Sequence, residues 1–101
     1  MKKIIACLAA LVLLCGCCSA LAEGTLRVGM ECNYAPFNWT QTEESEYTVP
    51  IEGGMGYADG YDVQIAKRLA EGLGMELAIV KTEWDGLPMG VMSGKLDAVI
   101  A

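Results

Sequence analysis

Asp62-Val63-Gln64-Ile65-Ala66-Lys67-Arg68-Leu69-Ala70-Glu71-Gly72-Leu73, followed after Gly74 by Leu77-Ala78-Ile79-Val80, is the stretch that decides the fold. In its first part Ile65, Ala66, Leu69 and Leu73 recur at helical spacing, and Lys67, Arg68 and Glu71 fall mostly outside that stripe. Asp62 stands at the start, where a carboxylate suits the helix dipole. Gly74 is placed to cap the end. The second part is a continuous apolar run, the pattern of a strand buried on both faces of a parallel sheet.

The same alternation continues outward in both directions. Downstream, Asp85 can cap a short helix carrying Leu87 and Val91, with Pro88 in the first turn, where a missing N–H is tolerated. Gly94 ends it, and Ala98-Val99-Ile100-Ala101 is a third apolar strand. Upstream, Leu26 to Met30 is a short strand, and Glu31 to Phe37 is a loop, since Pro36 is incompatible with a central strand. Asn38 to Gly60, with Glu43, Glu44 and Glu46 followed by four glycines, reads as an exposed loop or loose hairpin. The expected fold class is therefore α/β, with a parallel β-α-β-α-β core. The last strand has no turn or polar tail after it, so the chain is expected to be a fragment of a longer protein.

Residues 1–22 read as an address. Lys2 and Lys3 precede an apolar run from Ile4 to Leu14, and small residues lead to Ala20-Leu21-Ala22. That run makes about 16 Å of helix, well short of a ~30 Å hydrocarbon core. A charged start, a short apolar centre and an A-x-A end describe a secretory signal peptide, with cleavage after Ala22. Leu14-Cys15-Gly16-Cys17 also resembles a lipobox, so lipidation at Cys17 is the second choice. Cys7, Cys15, Cys17 and Cys18 all lie in this segment, which leaves Cys32 alone beyond it. A single thiol forms no internal disulfide, and Cys32 is expected to be a small buried apolar residue.

The chain of 101 residues carries a formal charge of −6, and all 13 acidic residues lie beyond the signal segment. Against them stand only Arg27, Lys67, Arg68, Lys81 and Lys95. Such a surface repels phosphate and disfavours nucleic acid as a partner. There is no histidine, the commonest general base and metal ligand. No nucleophile–base pair, metal-ligand cluster or phosphate loop is legible, so neither a catalytic set nor a cofactor is expected. In open parallel sheets ligands bind beyond the carboxyl ends of the strands. Here those ends offer Glu31, Tyr34 and Phe37, then Glu83, Trp84 and Asp85. Aromatic rings with a carboxylate suit a small amphipathic ligand bearing an ammonium group.

Five motifs in order extend this reading: Leu26-Arg27-Val28-Gly29, Tyr34-Ala35-Pro36-Phe37, Gly60-Tyr61-Asp62-Val63, Trp84-Asp85-Gly86-Leu87 and Ser93-Gly94-Lys95-Leu96-Asp97-Ala98. Together they resemble family 3 of the bacterial extracellular solute-binding proteins, the receptors of polar amino-acid ABC importers. The resemblance implies a type II periplasmic-binding-protein-like fold with two lobes closing on an amino acid, residues 23–101 being the truncated first part of lobe 1. It implies that Tyr34 and Trp84 sandwich the ligand's side chain and that Glu31 contacts its polar or cationic groups. It implies further that Ala101 begins the segment receiving the α-amino and α-carboxylate groups, with an arginine to follow. Importer membrane subunits would be the partners of a receptor that is monomeric when complete. The place would be the periplasm or the outer face of the cytoplasmic membrane. Alternatives within the same fold are a periplasmic enzyme (a dehydratase, or a domain linked to a cell-wall lyase) and the sensor module of a membrane kinase. Gln64, Met89 and the long Asn38–Gly60 segment depart from the family pattern, and the last of these is expected to reshape the pocket mouth.

Overall fold

The computed structural model describes residues 24–101. The expected signal segment 1–22, with Cys17 in it, lies outside the described residues. Strand β1 (Thr25–Met30) is the centre of a three-stranded parallel sheet, flanked by β6 (Glu76–Lys81) and β7 (Ala98–Val99). Val28 stands opposite Ile79 on one side and Ala98 on the other. Helix α1 (Tyr61–Leu73) leads into β6, and α2 (Gly86–Met92) lies between β6 and β7. The expected β-α-β-α-β core is present with each element within a residue or two of its expected bounds.

Alternation along β1 separates two packing layers. Leu26, Val28 and Met30 join Val63, Ala66, Ala70 and Ile79 in one buried cluster beneath α1. Fully burying side chains such as Val28, Met30 and Ile79 contributes about 1.5–3 kcal/mol each. Gly29 faces the other way: a Cβ there would meet Leu96 at 2.5 Å and Leu87 at 3.0 Å. These two buried leucines seat α2 and the segment before β7 directly on the sheet backbone.

The helix face differs from the one read in the sequence. Ala66 is buried as expected, but its companions are Val63, Ala70 and Asp62, while Ile65, Leu69 and Leu73 are exposed. Small residues on the inner face let α1 approach the sheet closely, and the larger aliphatics stay on the adjoining outer stripe. Gly74 does cap the helix, in the left-handed region at φ 67°, its N–H donating to the carbonyls of Ala70 and Glu71. Asp85 makes no side-chain capping bond to α2. Instead the carbonyls of Glu83 and Trp84 accept from the N–H groups of Gly86 and Leu87.

Of the two expectations for segment 38–60 the hairpin holds and the exposed loop does not: residues 39–41 pair antiparallel with 57–59. Strands β2 (Asn33–Tyr34), β3 (Asn38–Gln41), β4 (Val49–Pro50) and β5 (Tyr57–Asp59) form a four-stranded antiparallel sheet in the order β2-β3-β5-β4. Val49, Ile51 and Ala58 from this segment enter the main core. Ile51 also bridges Ile79 of β6, and the N–H of Glu52 donates to the Ile79 carbonyl at 2.9 Å. The small sheet is thereby attached to the edge of the large one. Residues 42–47 and 52–55 are exposed, as expected of a loop.

Candidate ligand-binding site

Parallel pairing sends the carboxyl ends of all three core strands to one edge. Met30 lies opposite Lys81, and Gly29 opposite Val99. Glu31–Phe37, Thr82–Asp85 and Ile100–Ala101 therefore emerge side by side. All four residues expected to form the site, Glu31, Tyr34, Trp84 and Ala101, lie on this edge.

The first loop turns back at once. Cys32 adopts a left-handed conformation at φ 58°, and Tyr34 pairs with Asn38 in the tight β2–β3 hairpin. The N–H of Phe37 donates to the Tyr34 carbonyl at 3.0 Å. The rings of Tyr34 and Phe37 stack at 5.4 Å, yet Tyr34 remains 59% exposed. Glu31 is half-buried at the base of the loop. Across the edge, Trp84 is 62% exposed and forms the wall of an open cleft of about 250 Å³ with Leu87, Pro88 and Val99. The structure thus makes two apolar surfaces, Tyr34 with Phe37 and Trp84 with its cleft. Glu31 and Ala101 line neither the cleft nor the ring stack.

Two residues behind the loop, Asn38 and Asp62, form a buried pair that the sequence does not show. Asn38 is 1% exposed, and its Oδ1 accepts from the Cys32 N–H at 2.7 Å. Its Nδ2 donates to Asp62 Oδ2 at 2.8 Å. The Asn38 and Asp62 side chains satisfy each other in the interior, which is what burial of polar groups requires. A lone Asn after an aromatic does not announce this; the partner is 24 residues away. Leu87, Pro88 and Val99 read in the sequence only as packing or turn residues, and their shared cleft follows from the strand register.

Cys32 is buried, and burial pushes its thiol pKa up from 9.0 to about 11, with the charge of Lys81 acting in the opposite direction. It therefore stays a neutral thiol at physiological pH, in line with its expected packing role. Its carbonyl accepts from Thr40 Oγ1 at 2.8 Å. Among the described residues no group of three or more Cys, Asp or Glu is arranged to hold a metal ion.

A parallel sheet in the order β6-β1-β7 with an open, aromatic-rich edge at its carboxyl ends defines the class: part of a type II periplasmic-binding-protein fold. Residues 26–101 match the model of the bacterial extracellular solute-binding proteins, family 3, and the chain belongs to that family. It is 35% identical over 78 residues to the L-cystine-binding protein TcyJ of Escherichia coli (strain K12), covering 77% of this chain and 25% of that protein. It is 37% identical over 81 residues to the cyclohexadienyl dehydratase of Pseudomonas aeruginosa, covering 80% of this chain and 26% of that protein. Among solved structures, the arginine-bound form of domain 1 from TmArgBP of T. maritima is similar with a TM-score of 0.60 and 34% identity, covering 76% of this chain and 52% of that domain. The chain thus spans about a quarter of the length of the curated relatives it matches.

Proposed function

We propose that this chain is the beginning of the first lobe of an exported receptor that captures a polar amino acid for an ABC importer. The observation that carries the reading is the pair of exposed aromatics, Tyr34 and Trp84, on separate loops at one sheet edge. Apolar rings held in water gain by covering a ligand. Tyr34 and Trp84 would enclose the ligand's side chain, Glu31 would pair with a cationic group, and the backbone from Ala101 onward would meet the α-amino and α-carboxylate groups. Relatives named for binding cystine and, in domain 1 of TmArgBP, arginine support an amino acid as the ligand class. Residues 1–22 would direct export to the periplasm or the outer face of the cytoplasmic membrane, and importer membrane subunits would receive the loaded receptor. The function needs no cofactor.

The dehydratase relative supports a second reading, an enzyme that removes water from a cyclohexadienyl substrate on the same scaffold. One set of titrations separates the two. In the full-length protein, Tyr34→Ala and Trp84→Ala should each weaken amino-acid binding by about 2 kcal/mol, roughly thirtyfold, with melting temperature as the folding control. Glu31→Gln should weaken cationic amino acids more than neutral ones, since only the former lose a charge pair. Variants that fold and bind like the parent would make these rings packing residues. Absent amino-acid binding together with turnover of a cyclohexadienyl acid would transfer the assignment to the enzyme.

A further inference from the structure

The loop that carries Glu31, Tyr34 and Phe37 is fastened at both ends to the first turn of α1. At its far end the carbonyls of Pro36 and Phe37 accept from the N–H groups of Tyr61 and Asp62, at 3.2 and 2.8 Å. These are first-turn donors that the helix itself leaves unsatisfied. Gly60 makes the approach possible: it sits at φ 124°, and a Cβ there would meet the Phe37 carbonyl oxygen at 2.5 Å. At its near end the Cys32 N–H is held by Asn38, and Asn38 is held by Asp62. The carboxylate of Asp62 accepts from Asn38, 24 residues away in the chain. With the loop carbonyls serving as caps, that carboxylate is free to fix the asparagine.

We propose that Asn38 and Asp62 are positioning residues: their buried hydrogen bond sets the left-handed turn at Cys32 and so fixes where Glu31 and Tyr34 stand toward a ligand. The proposal rests on the amino-acid-receptor reading for its consequence, but its physical core is independent of any ligand. A residue with a Cβ is sterically disfavoured in the left-handed region, unlike glycine. The Cys32 turn is therefore held from outside, and the Asn38 Oδ1 bond is one of the restraints holding it. Removing the Asp62 carboxylate leaves the Asn38 amide free to rotate, and the loop relaxes while the core strands keep their packing. Preorganised loops bind more tightly because less order is lost on binding.

The experiment is a side-chain swap in the full-length protein. Asp62→Ala should lower affinity for the preferred amino acid about tenfold at a temperature where the protein is fully folded. It should also speed hydrogen exchange at the Cys32 amide about tenfold or more, with the Val28 amide in the core unchanged. The double variant Asn38→Asp with Asp62→Asn reverses the polarity of the pair. The new carboxylate at position 38 accepts from both the Cys32 N–H and the new amide at position 62, so affinity and protection should return to within about threefold of the parent. If Asp62→Ala does not fold, Asp62→Leu fills about the same space without an acceptor and is read in the same way. Unchanged exchange at Cys32 in a folded single variant overturns the proposal, as does a swap that folds without restoring protection. A parent protein that binds no amino acid refutes the receptor reading alone, because the exchange measurement still decides whether the pair holds the loop.

Discussion

Replacing Gly60 by alanine tests how closely the loop 31–37 and α1 depend on each other. Gly60 has φ 124° and ψ 178°, a backbone region that glycine alone occupies comfortably. Forcing alanine there costs about 1–3 kcal/mol. The added methyl would also lie 2.5 Å from the oxygen and 2.7 Å from the carbon of the Phe37 carbonyl. Both are backbone atoms, so relief requires the loop itself to move. That movement breaks the bond from the Asp62 N–H, worth about 1 kcal/mol. The total is about 2–4 kcal/mol, set against a stability of about 4–12 kcal/mol for a unit of this size. Gly72 is the control. It lies in the exposed last turn of α1, and a methyl group added there would meet nothing within 4 Å, so Gly72→Ala should stabilise by about 0.5–1 kcal/mol. Urea unfolding followed by circular dichroism reads both variants, and calorimetry reads ligand affinity. The expected result is opposite signs of stability change, with weaker binding only for Gly60→Ala. Equal and small effects from the two substitutions would refute the close approach between Gly60 and Phe37.

Other outcomes follow from single residues. Burial holds the Cys32 thiol pKa near 11, above its ordinary 9.0, so the folded state keeps a proton that the unfolded chain releases at high pH. This contribution is intact below pH 9 and is lost between pH 9 and about 11, amounting to at most about 3 kcal/mol. Urea midpoints for the parent and Cys32→Ala should therefore converge as pH rises from about 8 to about 10.5, and parallel pH profiles would contradict it. At the other end of the chain, mass spectrometry of the exported protein should find Glu23 as the first residue; a diacylglycerol-modified Cys17 would replace signal cleavage by lipidation.

The parts of the fold that are legible in the sequence are those built from local signals. Periodicity and Gly74 mark helix α1, and an unbroken apolar run marks β6. The face of α1 is not legible, because hydrophobicity points to Ile65, Leu69 and Leu73 while close packing selects Val63, Ala66 and Ala70. Nor is the four-stranded sheet that grows from the 38–60 hairpin. Its strands are two to four residues long, too short to show alternation, and β3 and β5 find each other across an intervening loop. For the site, strand order brings Glu31, Tyr34 and Trp84 together at the carboxyl edge of the sheet. The Asn38–Asp62 bond and the cleft beside Trp84 depend on side chains brought together from distant positions, and no local pattern marks them.

The central claim is that the carboxyl edge of β1, β6 and β7 receives an amino acid between Tyr34 and Trp84. A crystal structure of the full-length protein grown with its preferred amino acid measures this directly. The account predicts both rings within about 4.5 Å of the ligand's side chain, with its α-amino and α-carboxylate groups near the backbone after Ala101. A ligand bound elsewhere, with Tyr34 and Trp84 packed only against protein, would contradict it.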